Sequence, residues 1–356
     1  MRDCIEARGL ASVDTPVLLM VSGGSDSTAL AYLAAELRES GVLGELGILH
    51  VNHCLRGVDA DADAEFVAQL SQLLGIPLFA RIIDVGAMAQ AEGGNVEAIA
   101  RRERYRAADE ALVQLCQRVA CPVSEGRIFT AHTADDRVEN FYMRSIVGTG
   151  PGGFRSMRYR NGRVCRPLLE AGREGLRSYL EERAASGWPV VHDGEGRLWR
   201  EDATNAHTDR FRAYVRHEIV PRAKERNPHL LATLTRTMNL IADEDDMLQS
   251  QAENLLARAV SWLEGMDGCV LLPLFGTVPV PLARRAVDLA LQRILGFDAR
   301  VEAASVAAVL AGFDVATGKP RGGYVCNIQG NLAVSANKRG VRIEPMSAFR
   351  ARRKRR

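Results

Sequence analysis

At 356 residues the chain has room for two domains, and its 47% hydrophobic and 25% charged content is that of an ordinary globular protein. No apolar run reaches the roughly 18 residues a membrane helix needs, and no apolar leader follows Met1. Seven cysteines without a Cys-x-x-Cys pair argue against a disulfide framework or a cysteine-held metal, so a cytoplasmic protein is expected. The net charge of +2 is uneven: arginines gather between Arg155 and Arg226 and again from Arg350 to Arg356, a distribution that favours a polyanionic partner such as RNA.

Residues 1–15 read as a leading helix or loop. From Pro16 onward, strands and helices alternate. The short apolar run Val17 to Val21 is a strand, followed by a helix from Ser27 to Glu39. Gly47 to Val51 is a second strand, Asp59 to Leu74 a helix with an acidic start, and Pro77 to Ile83 a third strand. Asn95 suits an N-cap for a helix from Val96 to about Gln117. Cys121 to Gly126 is a loop, Arg127 to Ala131 a fourth strand, and Ala134 to Ile146 a helix. This alternation predicts a parallel sheet covered on both faces, with its ligand crevice at the carboxyl ends of the strands.

Ser22-Gly23-Gly24-Ser25-Asp26-Ser27 sits where the first strand turns into a helix. Such a turn offers backbone N–H groups at the positive end of a helix, and the three hydroxyls add donors, which together suit a phosphate. Asp26 repels phosphate unless a cation lies between them, so a Mg²⁺ bridge is its natural role. The stretch is no Walker A loop, because no Lys follows its last glycine. It matches the PP-loop signature SGGxDS and so resembles the ATP pyrophosphatases, which split ATP between its α and β phosphates.

Three further clusters fall at strand ends or on the intervening helices. His50-Val51-Asn52-His53 with Arg56 ends the second strand and can face a nucleotide. Glu97, Arg101 and Arg104 share one helix face by their spacing of four and three, either as a solvated surface or as a functional one. His132-Thr133-Ala134-Asp135-Asp136-Arg137-Val138-Glu139 puts Asp136 and Glu139 three apart at a helix start, where both can point into one crevice. The glycine-rich Gly148 to Phe154 suggests a mobile loop over the site.

These clusters, in this order, resemble the motifs of bacterial tRNA(Ile)-lysidine synthases. Arg166-Pro167-Leu168-Leu169, Trp199 to Asn205 and Arg210 to Pro221 are also similar to that family. The resemblance implies an α/β PP-loop catalytic domain over residues 1–220 and a mostly helical tRNA-binding domain with a small β-hairpin over 221–345. A basic tail, expected to be disordered, then covers 346–356. In the second region, helices are expected over Leu230 to about Leu263, Val280 to Leu295 and Glu302 to Leu310. A hairpin is expected over Gly323–Ile328 and Leu332–Ser335, followed by a strand at Val341–Ile343.

The reaction implied joins free L-lysine to carbon 2 of the wobble cytidine of the tRNA(Ile) that has a CAU anticodon, through an adenylated tRNA, with AMP and pyrophosphate as products. ATP and Mg²⁺ are the expected cofactors. ATP contacts are implied for Ser22, Gly23, Gly24, Ser25, Asp26, Ser27, His50, Asn52 and His132, with Asp26 on Mg²⁺. Asp136 and Glu139 are expected to hold the lysine ammonium, and either Arg101 or Arg104 the lysine carboxylate or a phosphate. Oligomeric state is open. A thiocytidine synthase of the same fold is disfavoured by the missing cysteine pairs. A non-catalytic nucleotide sensor leaves Asp135, Asp136 and Glu139 unexplained, and a small-molecule amidating ligase differs in needing no RNA.

Overall fold

The structure, a computed structural model, describes residues 1–201, 211–296 and 299–354. It divides into two compact units, Met1–Ile241 and Ala242–Arg356.

The first unit opens with α1 (Arg2–Arg8) and then alternates β1 (Val17–Met20), α2 (Ser25–Glu39), β2 (Leu46–Asn52), α3 (Val58–Leu74) and β3 (Leu78–Ile82). The helices α4 (Val85–Glu92) and α5 (Val96–Arg118) follow, then β4 (Arg127–Phe129) and α6 (Ala134–Val147). A short hairpin, β5 (Arg160–Asn161) and β6 (Val164–Cys165), leads to α7 (Arg173–Ala185). The sheet order is β3-β2-β1-β4-β6-β5, parallel except for the β5–β6 pair. Each element expected between residues 17 and 146 is present, and Asn95 does cap α5, accepting from the amides of Glu97 and Ala98. The segments α4, β5, β6 and α7 are additional.

β1 is buried on both faces because its alternate side chains enter different cores. Val17 and Leu19 pack among residues of α2 and α3, while Leu18 packs among Ala107, Ala108, Ala111 and Leu112 of α5. Its two neighbours, β2 and β4, lie on opposite sides, so the connections after β1 and after β4 diverge and open a crevice at their carboxyl ends.

The unit runs past the expected boundary at residue 220. After Phe211 come α8 (Phe211–Tyr214), a π-helical turn (Val215–Ile219), α9 (Val220–Arg226) and α10 (Leu230–Ala259). Val215, Val220, Leu230 and Met238 share one apolar cluster with Val138 of α6, which keeps this region in the first unit. The division between the units falls within α10.

The second unit contains β7 (Val260–Trp262), β8 (Cys269–Leu271), α11 (Val280–Leu295), α12 (Ala303–Leu310), β9 (Val325–Ile328), β10 (Leu332–Asn337), β11 (Gly340–Pro345) and α13 (Met346–Lys354). The expected hairpin is β9–β10, but it belongs to a five-stranded antiparallel sheet in the order β7-β8-β11-β10-β9. The helix expected to reach Leu263 ends at Ala259, where Val260 and Trp262 pair instead with β8. Ala283, Ala286, Val287, Ala290 and Leu291 form one stripe of α11, which packs into the core of this sheet.

The basic tail also differs from expectation, since its residues 346–354 form α13. Met346 and Phe349 bury themselves with Ala333, and Arg352 donates from Nε to Oε1 of the buried Glu344 at 3.0 Å.

Candidate active site

The loop after β1 is held in shape by its own hydroxyls. Ser27 Oγ accepts from the Ser22 amide at 3.2 Å and donates to the Gly24 carbonyl at 3.0 Å, and Thr28 Oγ1 donates to the Gly23 carbonyl at 3.1 Å. Gly23 adopts φ +97°, a conformation that side-chain-bearing residues rarely take. No side chain caps α2, whose N-cap is Gly24, so the first amides of the helix face the crevice with no side-chain acceptor from the cap.

The outer side of this loop is braced by Arg200. Its amide donates to the Gly23 carbonyl at 2.9 Å, and its guanidinium pairs with Asp63 at 2.9 Å and Asp193 at 3.3 Å. Arg56 donates to the other oxygen of Asp63 at 2.7 Å. The remainder of that quoted motif, Asp202 to Asn205, lies outside the described residues, as does Arg210.

Across the crevice, α6 starts with a capping box. The Thr133 amide donates to Oδ2 of Asp136 at 2.9 Å, and the Asp136 amide donates to Thr133 Oγ1 at 3.4 Å. All residues from Ala134 to Glu139 are buried, four of them charged. Burying such charges is costly unless each finds a partner.

For the carboxylates the partners are three arginines and a lysine. Arg173 donates from Nε to Oδ2 of Asp26 at 3.1 Å and from Nη2 to Oδ1 of Asp136 at 3.4 Å, and its Nη1 lies 3.7 Å from Glu139. Arg212 donates to Glu139 and to Asp136, both at 2.9 Å. Arg216 donates to the two oxygens of Glu139 at 2.6 and 3.0 Å. Asp135 accepts from the Arg173 amide at 2.8 Å and from Lys224 Nζ at 3.0 Å.

Asp136 and Glu139 face one crevice, as their spacing suggested they could, and Arg173 joins both to Asp26. Of the three arginines that pair with them, Arg212 and Arg216 lie in the Arg210–Pro221 stretch singled out in the sequence, but no site role was assigned to any of the three. A buried carboxylate demands a cation, but the cations stand 34 to 147 positions away along the chain, among many other arginines. The π-helical turn that begins one residue before Arg216 is of a kind often found at functional sites.

The two aspartates differ electrostatically. Burial pushes the Asp26 carboxyl above the usual carboxylate range despite the neighbouring Arg173 guanidinium. Burial acts the same way on Asp136, but the Thr133 amide, Arg173 and Arg212 outweigh it and hold that carboxyl below its usual range. Asp26 can thus accept a further cation. Among the described residues no three His, Cys, Asp or Glu converge as a metal cage. A single carboxylate together with phosphate oxygens is a donor set that fits Mg²⁺.

Three histidines near the crevice, His50, His53 and His132, are each held toward the neutral form. His50 Nδ1 bonds the Val21 carbonyl at 2.9 Å, next to the phosphate loop, and burial lowers its pKa. Burial, with the charge of Arg104, takes His53 down to about 4. His132 bonds Thr130 Oγ1 at 2.8 Å, and burial brings it to about 4. Asn52 donates to Asp61 at 3.1 Å and accepts from the Cys54 amide at 2.9 Å. Arg101 and Arg104 are exposed on α5, and Arg101 lies over the Tyr105 ring at 5.1 Å. Neither bonds to the carboxylate trio in the structure, whereas Arg173, Arg212 and Arg216 do.

A PP-loop domain family matches residues 5–223. Curated tRNA(Ile)-lysidine synthases are similar: that of Thermus thermophilus is 36% identical over 284 residues, covering 78% of this chain and 49% of that protein. The Solibacter usitatus protein is 35% identical over 291 residues, covering 79% of this chain and 58% of that protein. The Geobacter sulfurreducens protein is 32% identical over 287 residues, covering 80% and 56%. The chain thus spans about half the length of the curated relatives it matches.

Proposed function

The chain belongs to the PP-loop domain family, and we propose that it uses ATP to join free L-lysine to carbon 2 of the wobble cytidine of a tRNA(Ile) with a CAU anticodon. The observation that carries this reading is the closeness of Asp26, on the phosphate loop, to Asp136 and Glu139, all three within reach of one guanidinium. A site that cleaves ATP and a site that binds a cationic amine are then adjacent, as a two-step ligation requires.

In the first step the carbon-2 oxygen of the cytidine attacks the α-phosphorus, and pyrophosphate leaves with the electrons of the broken P–O bond. The amides of the loop from Ser22 to Ser27 hold the phosphates. Asp26 would hold Mg²⁺ together with phosphate oxygens, and that ion supplies charge neutralisation of the leaving group. In the second step the lysine amine attacks carbon 2 and AMP departs. The amine arrives as an ammonium of reference pKa about 10.4 and must lose a proton first, for which Asp136 and Glu139 provide the acceptor field. His50, Asn52 and His132 line the nucleotide side, the histidines as neutral hydrogen-bonding groups. Arg101 or Arg104, exposed on α5, meets an anionic group of substrate. Residues beyond 241 contribute tRNA contacts.

The test is incubation with ATP, labelled lysine and bulk tRNA. Label is expected in one tRNA species, with one AMP and one pyrophosphate per lysine. Pyrophosphate release without RNA, or label absent from tRNA, overturns the reading.

A further inference from the structure

Arg173 touches every carboxylate of the crevice. Besides its bonds to Asp26 and Asp136 and its approach to Glu139, its own amide is fastened to Asp135 at 2.8 Å, where α7 begins beside the start of α6. Arg212 and Arg216 pair with Asp136 and Glu139, on the amine side. Arg173 is the residue that ties this pair to Asp26 on the phosphate side. Its side chain is 22% exposed, partly open to whatever enters.

Among the described residues Asp26, Asp135, Asp136 and Glu139 face Arg173, Arg212, Arg216 and Lys224, so these acids and bases balance without substrate. An incoming triphosphate adds negative charge on one side and an incoming ammonium adds positive charge on the other. The imbalance is smallest when a guanidinium shifts from the carboxylates toward the phosphates. Arg173 spans both sides, and a guanidinium presents a rigid fork of donors that matches phosphate oxygens.

We infer that Arg173 is a catalytic residue of the adenylation step. Its guanidinium turns from Asp26 onto the non-bridging oxygens of the α-phosphate and stabilises the charge there while the cytidine oxygen bonds to phosphorus and pyrophosphate leaves with the electron pair of the broken bond. The departure of Arg173 also leaves Asp136 and Glu139 one cation short, ready for the ammonium. This inference rests on the function proposed above.

The experiment measures pyrophosphate release with ATP and bulk tRNA, and ATP affinity by calorimetry without tRNA, on the full chain. Loss of one donor aimed at charge that develops in the transition state lowers such rates by about 100- to 1,000-fold. Arg173→Lys is therefore expected to slow release by at least about 100-fold while ATP affinity changes by less than about fivefold. Arg173→Ala is expected to regain at least about tenfold in rate with added guanidinium chloride, and not with methylammonium. A merely structural arginine shows neither the rate–affinity split nor the selective rescue. Arg173→Lys with a rate near wild type overturns the inference, and it decides the matter if Arg173→Ala does not fold. Rescue equal for both cations also overturns it. Wild-type chain that releases no pyrophosphate overturns the proposed function itself, whereas active wild type matched by Arg173→Lys overturns this inference alone.

Discussion

Glu139→Gln tests how far the first unit depends on the carboxylate trio. The side chain of Glu139 is only 2% exposed and accepts from Arg212 at 2.9 Å and from Arg216 at 2.6 and 3.0 Å. Glutamine keeps the volume and one acceptor, but its amide nitrogen faces guanidinium donors and its charge is gone. Removing one member of a buried pair costs about 3 to 5 kcal/mol, and each charge-assisted hydrogen bond about 1.5 to 3 kcal/mol. Arg212 is 43% exposed, so water takes over part of its solvation and the lower figures apply. A loss of about 2 to 3 kcal/mol follows. In a unit of this size each kcal/mol moves the midpoint by about 2 to 4 °C, so melting should fall by about 4 to 12 °C. Scanning calorimetry on the full chain reads it, with the exposed Glu181→Gln as control. In parallel the lysine requirement should rise by about tenfold to a hundredfold at saturating ATP and tRNA. An unchanged melting point refutes the burial argument, and an unchanged lysine requirement moves the amine site elsewhere.

Gly23→Ala should destabilise the first unit by about 1 to 2 kcal/mol and weaken ATP binding, because φ is +97°, a conformation that a residue with a Cβ rarely takes. Gly24→Ala, with its nearest neighbour at 3.8 Å, should melt like wild type; equal effects from both refute the claim. His53 and His132 stay neutral in the fold down to about pH 4, whereas the unfolded chain takes up these protons below about pH 6.5. Their contribution is therefore complete above about pH 7 and is lost as pH falls from about 6.5 to 4, at most about 2 kcal/mol each by pH 5 and less because both rings are partly exposed. Melting curves between pH 7.5 and 5 should show it, and His132→Gln should flatten it. Arg352→Ala should destabilise the second unit by about 1.5 to 3 kcal/mol, since it leaves the buried Glu344 to Arg342 alone among its bonded partners. Arg350→Gln with Lys354→Gln should instead spare stability and reduce the salt slope of tRNA binding, by about 0.7 to 0.9 for each phosphate no longer neutralised.

The sheet was legible because its signals are local. A buried parallel strand is a short apolar run, and Val17 to Met20 is one; a helix start carries a cap, and Asn95 is one. β5 and β6 have two residues each and owe their existence to pairing, β6 with β4 and β5 with β6, which no local pattern announces. The tail failed for a related reason. A run of arginines reads as solvated, yet Phe349 packs against Ala333 and Arg352 finds Glu344, partners on the strands that precede the tail.

The same logic revises the reading of the arginine-rich middle. Its excess of positive charge pointed to RNA, but much of it is occupied within the fold. Arg155 and Arg166 are buried, Arg183 pairs with Glu36, and Arg200 pairs with Asp63 and Asp193. Arg173, Arg212 and Arg216 neutralise the carboxylates of the crevice. Charges engaged in this way release no counterions when a polyanion binds, so they add nothing to the salt slope. Counting arginines along the chain therefore overestimates the number of phosphates this region can neutralise. What the charge skew records is a crevice that gathers acids, which must import an equal number of bases to fold.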